Sequence, residues 1–211
     1  MAHLGLVALP YDRDSLLQML EARSPKPVAL TRPMDSLFQV FRVPFITYAT
    51  LAYRLASLDR SLTLQKQVMD SLARSSPAYD SLYRVFAAAS DSFAAVKHRR
   101  DDAQHRLGEY RIRVGPPLDT LRQLMSRWED STYRGYDSLT KVLGTGIGRE
   151  PIADSTDATG KVTIHLPPGD WWIYARSWDT WDPNSEWYWN VRVKGERLTL
   201  DRASGRRVPR Y

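Results

Sequence analysis

The 211-residue chain contains no cysteine, which excludes disulfides, thiolate nucleophiles and Cys-ligated zinc or iron–sulfur centres. Histidine is nearly as scarce. The four present, His3, His98, His105 and His165, include no i, i+4 pair that would set two imidazoles on one metal ion. No apolar run approaches the ~20 residues that cross a bilayer. The run nearest the start, residues 6–9, is too short for a signal-peptide core, and no charged segment precedes it. A Gly-x-Ser-x-Gly elbow, a phosphate loop and a dinucleotide fingerprint are all missing. Gly144, Gly146 and Gly148 alternate, but without a strand before them or a helix after them, so they read as a helix stop. These gaps give the expectation of a protein that is not an enzyme and holds no cofactor and no metal.

What the chain does carry is positive charge, a net +6. Such an excess favours acidic partners: phosphate, anionic lipid headgroups or an acidic protein face. Lys97-His98-Arg99-Arg100, with Arg106, Arg111 and Arg113, is interleaved with Asp101, Asp102 and Glu109. That mixture is the signature of a solvated helix face, so nucleic acid is not the expected partner.

The middle of the chain is helical in pattern. Residues 3–9 read as a strand ended by Pro10. A brief helix follows, capped by Asp12 or Asp14, and the proline-rich stretch 24–33 reads as a linker. Pro44 then kinks or restarts the next helix. Leu51, Leu55, Leu58, Leu62, Gln65, Met69 and Leu72 step by fours and threes, a heptad seam with one polar interruption. Ser76-Pro77 opens a second helix on Tyr79, Leu82, Phe86, Ala89, Phe93, Val96, Arg100, Ala103, Leu107 and Tyr110. Gly115-Pro116-Pro117 should stop it and begin a third helix. The region 11–150 is thus expected to hold a short helix and three long ones, broken near 75–77 and 114–117. The tripeptide Asp-Ser-Leu recurs at irregular spacing and is no structural repeat.

After Glu150 the period changes from 3.6 to 2. Strands are expected at 161–166, 171–177, 187–193 and 197–200, within a tryptophan-rich β-domain spanning 151–201. Residues 202–211 form a basic arm. Thr156-Asp157-Ala158-Thr159-Gly160-Lys161-Val162-Thr163-Ile164, followed by Leu166-Pro167-Pro168-Gly169 and Trp172-Ile173-Tyr174-Ala175, resembles carboxypeptidase-regulatory-like domains, the transthyretin-like β-sandwiches of exported bacterial proteins. The resemblance covers about residues 156–175. It implies a non-catalytic extracytoplasmic module, and hence a chain whose export signal has been removed. Such a sandwich needs about seven strands, more than this segment supplies, and residues 3–9 offer one more. The expected fold class is therefore α+β: a long antiparallel helical bundle or hairpin inserted in, or attached to, a small antiparallel transthyretin-like β-domain whose first strand comes from the N-terminus.

Six of the seven tryptophans lie between Trp171 and Trp189. Strand alternation sets Trp172, Tyr174 and Trp178 on one face and Trp171, Ile173 and Ala175 on the other. One face is core. The second either packs under helices or is an aromatic recognition surface. The loop from Trp178 to Glu186 carries Asp179, Asp182 and Glu186 at near-calcium spacing but lacks an EF-hand's glycine and length, so it reads as a strand connection. The partner-binding candidates are Trp172, Tyr174, Trp178 and Trp181, with Arg206, Arg207 and Arg210 as an extended arm lying on an acidic partner. Together these parts suit a periplasmic, membrane-peripheral scaffold that contacts protein subunits of a larger membrane-bound assembly, such as a photosynthetic reaction centre with its antenna. The competing expectation is a carbohydrate-binding cell-envelope module that stacks sugars on exposed tryptophans.

Overall fold

The computed structural model describes residues 2–211 and divides into two compact units, Met1–Ser36 with Leu118–Tyr211, and Leu37–Pro117. The fold is α+β. Its elements are β1 (Gly5–Leu9), α1 (Arg13–Glu21), α2 (Val28–Asp70), α3 (Pro77–Thr132), α4 (Tyr136–Ile147), β2 (Ile152–Ser155), β3 (Trp172–Trp178), β4 (Ser185–Arg192) and β5 (Arg206–Pro209).

The first unit is organised on an antiparallel sheet in the order β2-β1-β3-β4-β5. β1 lies inside the sheet. Leu6 sits opposite Asp154 on one side and Ala175 on the other, and Ala8 sits between Ile152 and Ile173. A strand apolar on both faces is costly at an edge, where its backbone amides also go unpaired. Flanked by β2 and β3, it loses neither. Everything from residue 10 to residue 151 is therefore an insertion between two strands that neighbour each other in the sheet.

One face of the sheet carries the core: Leu4, Leu6, Ala8, Trp171, Ile173, Ala175 and Trp189. Two of the strands expected from the sequence, 161–166 and 197–200, are absent. Those segments are extended and alternate in burial as a strand would, and Val162, Ile164, Leu166, Leu198 and Leu200 pack onto the core. They lie across the sheet's face, so they cover it by side-chain burial while making no ladder. Two strands that were not expected, β2 and β5, form the edges instead. Both are four residues long, too short for a periodic signal to stand out.

The helices begin and end for local reasons. Asp12 caps α1 by accepting from the Asp14 amide at 3.0 Å and the Ser15 hydroxyl at 2.7 Å. The linker is shorter than 24–33, because the amides of Leu30 and Thr31 donate back to Pro27 and α2 starts at Val28. α2 then runs without a break through Pro33 and Pro44. α3 likewise passes through Pro116 and Pro117, where a break was expected. The proline pair removes two donors from the ladder, yet buried Val114 and Leu118 on either side keep the apolar stripe in register. The interruption comes later, at 133–135. α4 continues through Gly144 and Gly146, and Gly148 alone stops it, at φ +67° with the Arg149 amide returning to the Gly144 carbonyl at 3.1 Å.

The second unit is a helical hairpin. Residues 37–70 of α2 and 77–117 of α3 form its arms, and the Ser76 hydroxyl caps the second arm by accepting from the Tyr79 amide at 3.1 Å. Each arm has one helical neighbour. The seam therefore buries Phe38, Met69, Val96, Ala103, Leu107 and Val114 but leaves Leu55, Leu62, Phe86 and Phe93 half-buried. Arg100 lies on this seam in mid-helix rather than near a helix end. It reaches Gln104 at 3.2 Å and Asp101 at 3.1 Å, while its Nε is buried without a partner. Beside it, the small side chains of Ala52 and Ala56 leave a groove of about 290 Å3 bounded by Leu55, Asp59 and Phe93.

Candidate functional site

The sheet's second face is covered around Tyr174, Tyr188 and Asn190. Arg13, on the first turn of α1, lays its guanidinium 4.6 Å from the Tyr174 ring centroid, 5.8 Å from Tyr188 and 5.7 Å from Tyr136. Its Nη1 donates to the Tyr188 hydroxyl at 3.0 Å, and that hydroxyl donates to Asp14 at 2.5 Å. The Asn190 amide donates to Asp12 at 2.6 Å, so one short acidic turn both caps a helix and fastens it to β4. Burial and the hydrogen bond to Asp14 hold the Tyr188 phenol well above its ordinary range, and burial pushes Tyr136 up to about 12. For Asp12 burial acts upward, but donation from Ser15, Asn190 and the backbone outweighs it and lowers the carboxyl. Tyr174 is thus engaged inside the protein. The expected platform of Trp172, Tyr174 and Trp178 is interrupted at its centre.

The aromatic surface that remains is at one end of the sheet. Trp178 closes β3 with 67% of its surface exposed, and Trp181, in the connection to β4, is 47% exposed. The other tryptophans of this region are placed differently. Trp171 and Trp189 are buried, with their indole N–H groups donating to Pro167 and Asp201 carbonyls at 2.8 Å each. Trp187 stacks on Trp189, and Trp172 is half-buried beside Arg192.

The C-terminal residues build the rest of this rim. The Arg207 guanidinium joins Asp179 at 2.7 Å and Asp182 at 2.6 Å, and both carboxylates are almost wholly buried. Asp179 also accepts from the Trp181 amide and Asp182 from the Asn184 amide, which shapes the turn bearing Trp181. Arg210 lies 3.9 Å over the Trp178 ring and donates to the Pro183 carbonyl at 3.2 Å. Arg206 sits 4.5 Å over Tyr188 and pairs with Asp14 at 3.1 Å. Residues 206–209 are β5, not an extended arm, and all three arginines hold the chain's own groups. The acids at near-calcium spacing are therefore already matched: Asp179 and Asp182 by Arg207, and Glu186 by Arg176.

Of the seven candidates, Trp178, Trp181, Arg207 and Arg210 come together on this rim, Tyr174 and Arg206 are engaged by Arg13 and Asp14 of α1, and Trp172 lies at the other end of β3 beside Arg192. Arg13, which fastens α1 to this face through Tyr174 and Tyr188, was missed. Its only sequence signal was a cation one residue past a helix cap and one strand length from β1. No family model matches the chain, and no curated protein or solved structure is significantly similar to it.

Proposed function

We propose that this protein is a non-enzymatic scaffold that joins a larger assembly, using the rim of Trp178, Trp181 and Arg210 as its principal contact. The observation that carries the reading is the exposure of two tryptophans on a unit whose other tryptophans and tyrosines are buried or half-buried. Tryptophan and arginine are the residues most concentrated at the energetic centres of protein interfaces, and a Trp–Arg stack held by its own turn needs little reordering on binding. The helical hairpin supports the same reading. It carries twelve Lys or Arg and seven Asp or Glu, so five of the six net positive charges lie there, a field suited to acidic neighbours. We place the protein outside the cytoplasm and peripheral to a membrane, with a reaction centre–antenna complex as one setting, on the strength of the carboxypeptidase-regulatory-like stretch at 156–175 and the basic charge. On this reading the β-unit is an incomplete transthyretin-like sandwich whose second layer is reduced to the extended segments 161–166 and 197–200.

The test is purification of the tagged chain from membranes of its source. A defined complex of fixed stoichiometry supports the scaffold. The carbohydrate reading keeps one point in its favour, since exposed indoles also stack on sugars. Titration with cell-wall glycans separates the two: a blue shift of tryptophan emission with glycan, and no protein complex, would overturn the scaffold reading.

A further inference from the structure

Beyond the end of β4 the chain turns through residues 193–204 and borders an open cleft of about 540 Å3, separate from the tryptophan rim, whose lining includes Val191, Arg192, Lys194, Gly195, Arg197 and Leu198. The three cations differ in their commitments. Arg192 is paired with Asp170 at 2.7 Å. Lys194 and Arg197 have no acidic partner within 4.0 Å among the described residues, although Glu196 lies between them in sequence. Lys194, Gly195 and Arg197 are all exposed, and their backbone N–H groups donate to no protein acceptor among the described residues. An ammonium and a guanidinium free of acidic partners, beside solvent-facing loop amides and the half-buried Val191 and Leu198, are the components of an open anion site that also takes a short carbon chain.

We propose that this cleft binds a phosphate ester, with the phosphate held by Lys194, Arg197 and the loop amides and the ester carbons resting on Val191 and Leu198. Phosphate matches the donors better than a carboxylate does, because its oxygens accept from several directions at once. Phosphate esters reach such a cleft from two sources, a phospholipid headgroup or a soluble metabolite. The proposal does not rest on the protein–protein reading above, since its residues lie at the opposite end of β4 from the tryptophan rim and its readout uses no protein partner.

The experiment compares the full chain with Lys194→Gln/Arg197→Gln and with Arg84→Gln/Arg111→Gln, a control that removes the same charge from the hairpin. Each is sedimented with phosphatidylglycerol vesicles and with phosphatidylcholine vesicles, and each is titrated with glycerol phosphate. Binding to phosphatidylglycerol that falls about 30-fold in the cleft variant, and much less in the control, supports the headgroup source; that fall corresponds to ~1 kcal/mol per basic residue near an anionic surface. Binding of glycerol phosphate that is lost only in the cleft variant, without vesicle binding, supports the soluble source. Equal losses in cleft variant and control, or no binding to vesicles or to glycerol phosphate, overturn the proposal. Unchanged melting of both variants shows that the losses are not unfolding.

Discussion

Arg207→Ala probes how firmly the C-terminal strand is strapped to the rim. The guanidinium touches two carboxylates, Asp179 and Asp182, whose side chains are 10% and 7% exposed, while its own side chain is 30% exposed. Truncation leaves two nearly buried negative charges where one cation had compensated both. Breaking a buried ion pair from one side costs about 3–5 kcal/mol. Two features lower that figure here: the guanidinium is partly wet, and Asp182 keeps bonds from the Asn184 amide and the Ser185 hydroxyl. A loss of about 2–3 kcal/mol remains, which in a chain of this size lowers Tm by about 5–10 °C. The assay is thermal melting followed by near-UV circular dichroism, which reports the tryptophans of the β-unit. Arg207→Lys should lose roughly half as much, since one ammonium serves one carboxylate at a time. Adding Asp179→Asn to the alanine variant should restore part of the loss by removing a like charge. An alanine variant that melts within about 1 °C of wild type would refute the strap.

Other changes test other joints. Gly205→Ala should destabilise by about 1–3 kcal/mol, because a Cβ there would stand 2.4 Å from Nε1 of Trp189, a buried ring with little room to move; an unchanged urea midpoint would show that the loop yields freely. Phe93→Ala, at a half-buried seam position beside the groove at Arg100, should cost about 2 kcal/mol, less than a fully buried phenylalanine, and a far-UV melt unaffected by it would contradict the seam. Tyr133, Tyr136 and Tyr188 titrate above the ordinary value of 10.0 in the folded state. Their stabilisation is therefore full below pH 10 and lost as pH rises through the folded values, so the near-UV signal should melt at falling temperature above pH 10, and a flat alkaline profile would be inconsistent with it. Deleting residues 1–9 removes an inner strand and should abolish the near-UV tryptophan signal while much of the far-UV helical signal survives; an unchanged tryptophan spectrum would mean that the sheet stands without β1.

Much of this architecture is legible in local pattern. The doubly apolar residues 3–9 need two neighbours, and the heptads around Leu55 and Phe93 need one. The failures have physical causes. Pro116 and Pro117 read as a stop, but a buried stripe on both sides outweighs two missing hydrogen bonds. Residues 161–166 alternate as a strand does, yet period-2 burial reports a half-covered extended chain whether or not a ladder partner exists. The rim was half legible. Trp178 and Trp181 stood out by composition, whereas the partners of Arg206, Arg207 and Arg210 lie far away in sequence, the nearest being Tyr188 for Arg206, and carry no local signal. The basic terminus looked unpaired because charge along a chain says nothing of acids brought back by a β-ladder.

The scaffold reading stands or falls on the two exposed indoles. Trp178→Ala/Trp181→Ala removes surface rings, so Tm should move by no more than about 1–2 °C per site. The decisive quantity is the fraction of chain that co-purifies with protein complexes from membranes of its source, compared between wild type and this double variant at equal expression. The account predicts a fall of at least about 10-fold, the loss of one interface anchor. A double variant retained in the complex as fully as wild type would contradict it.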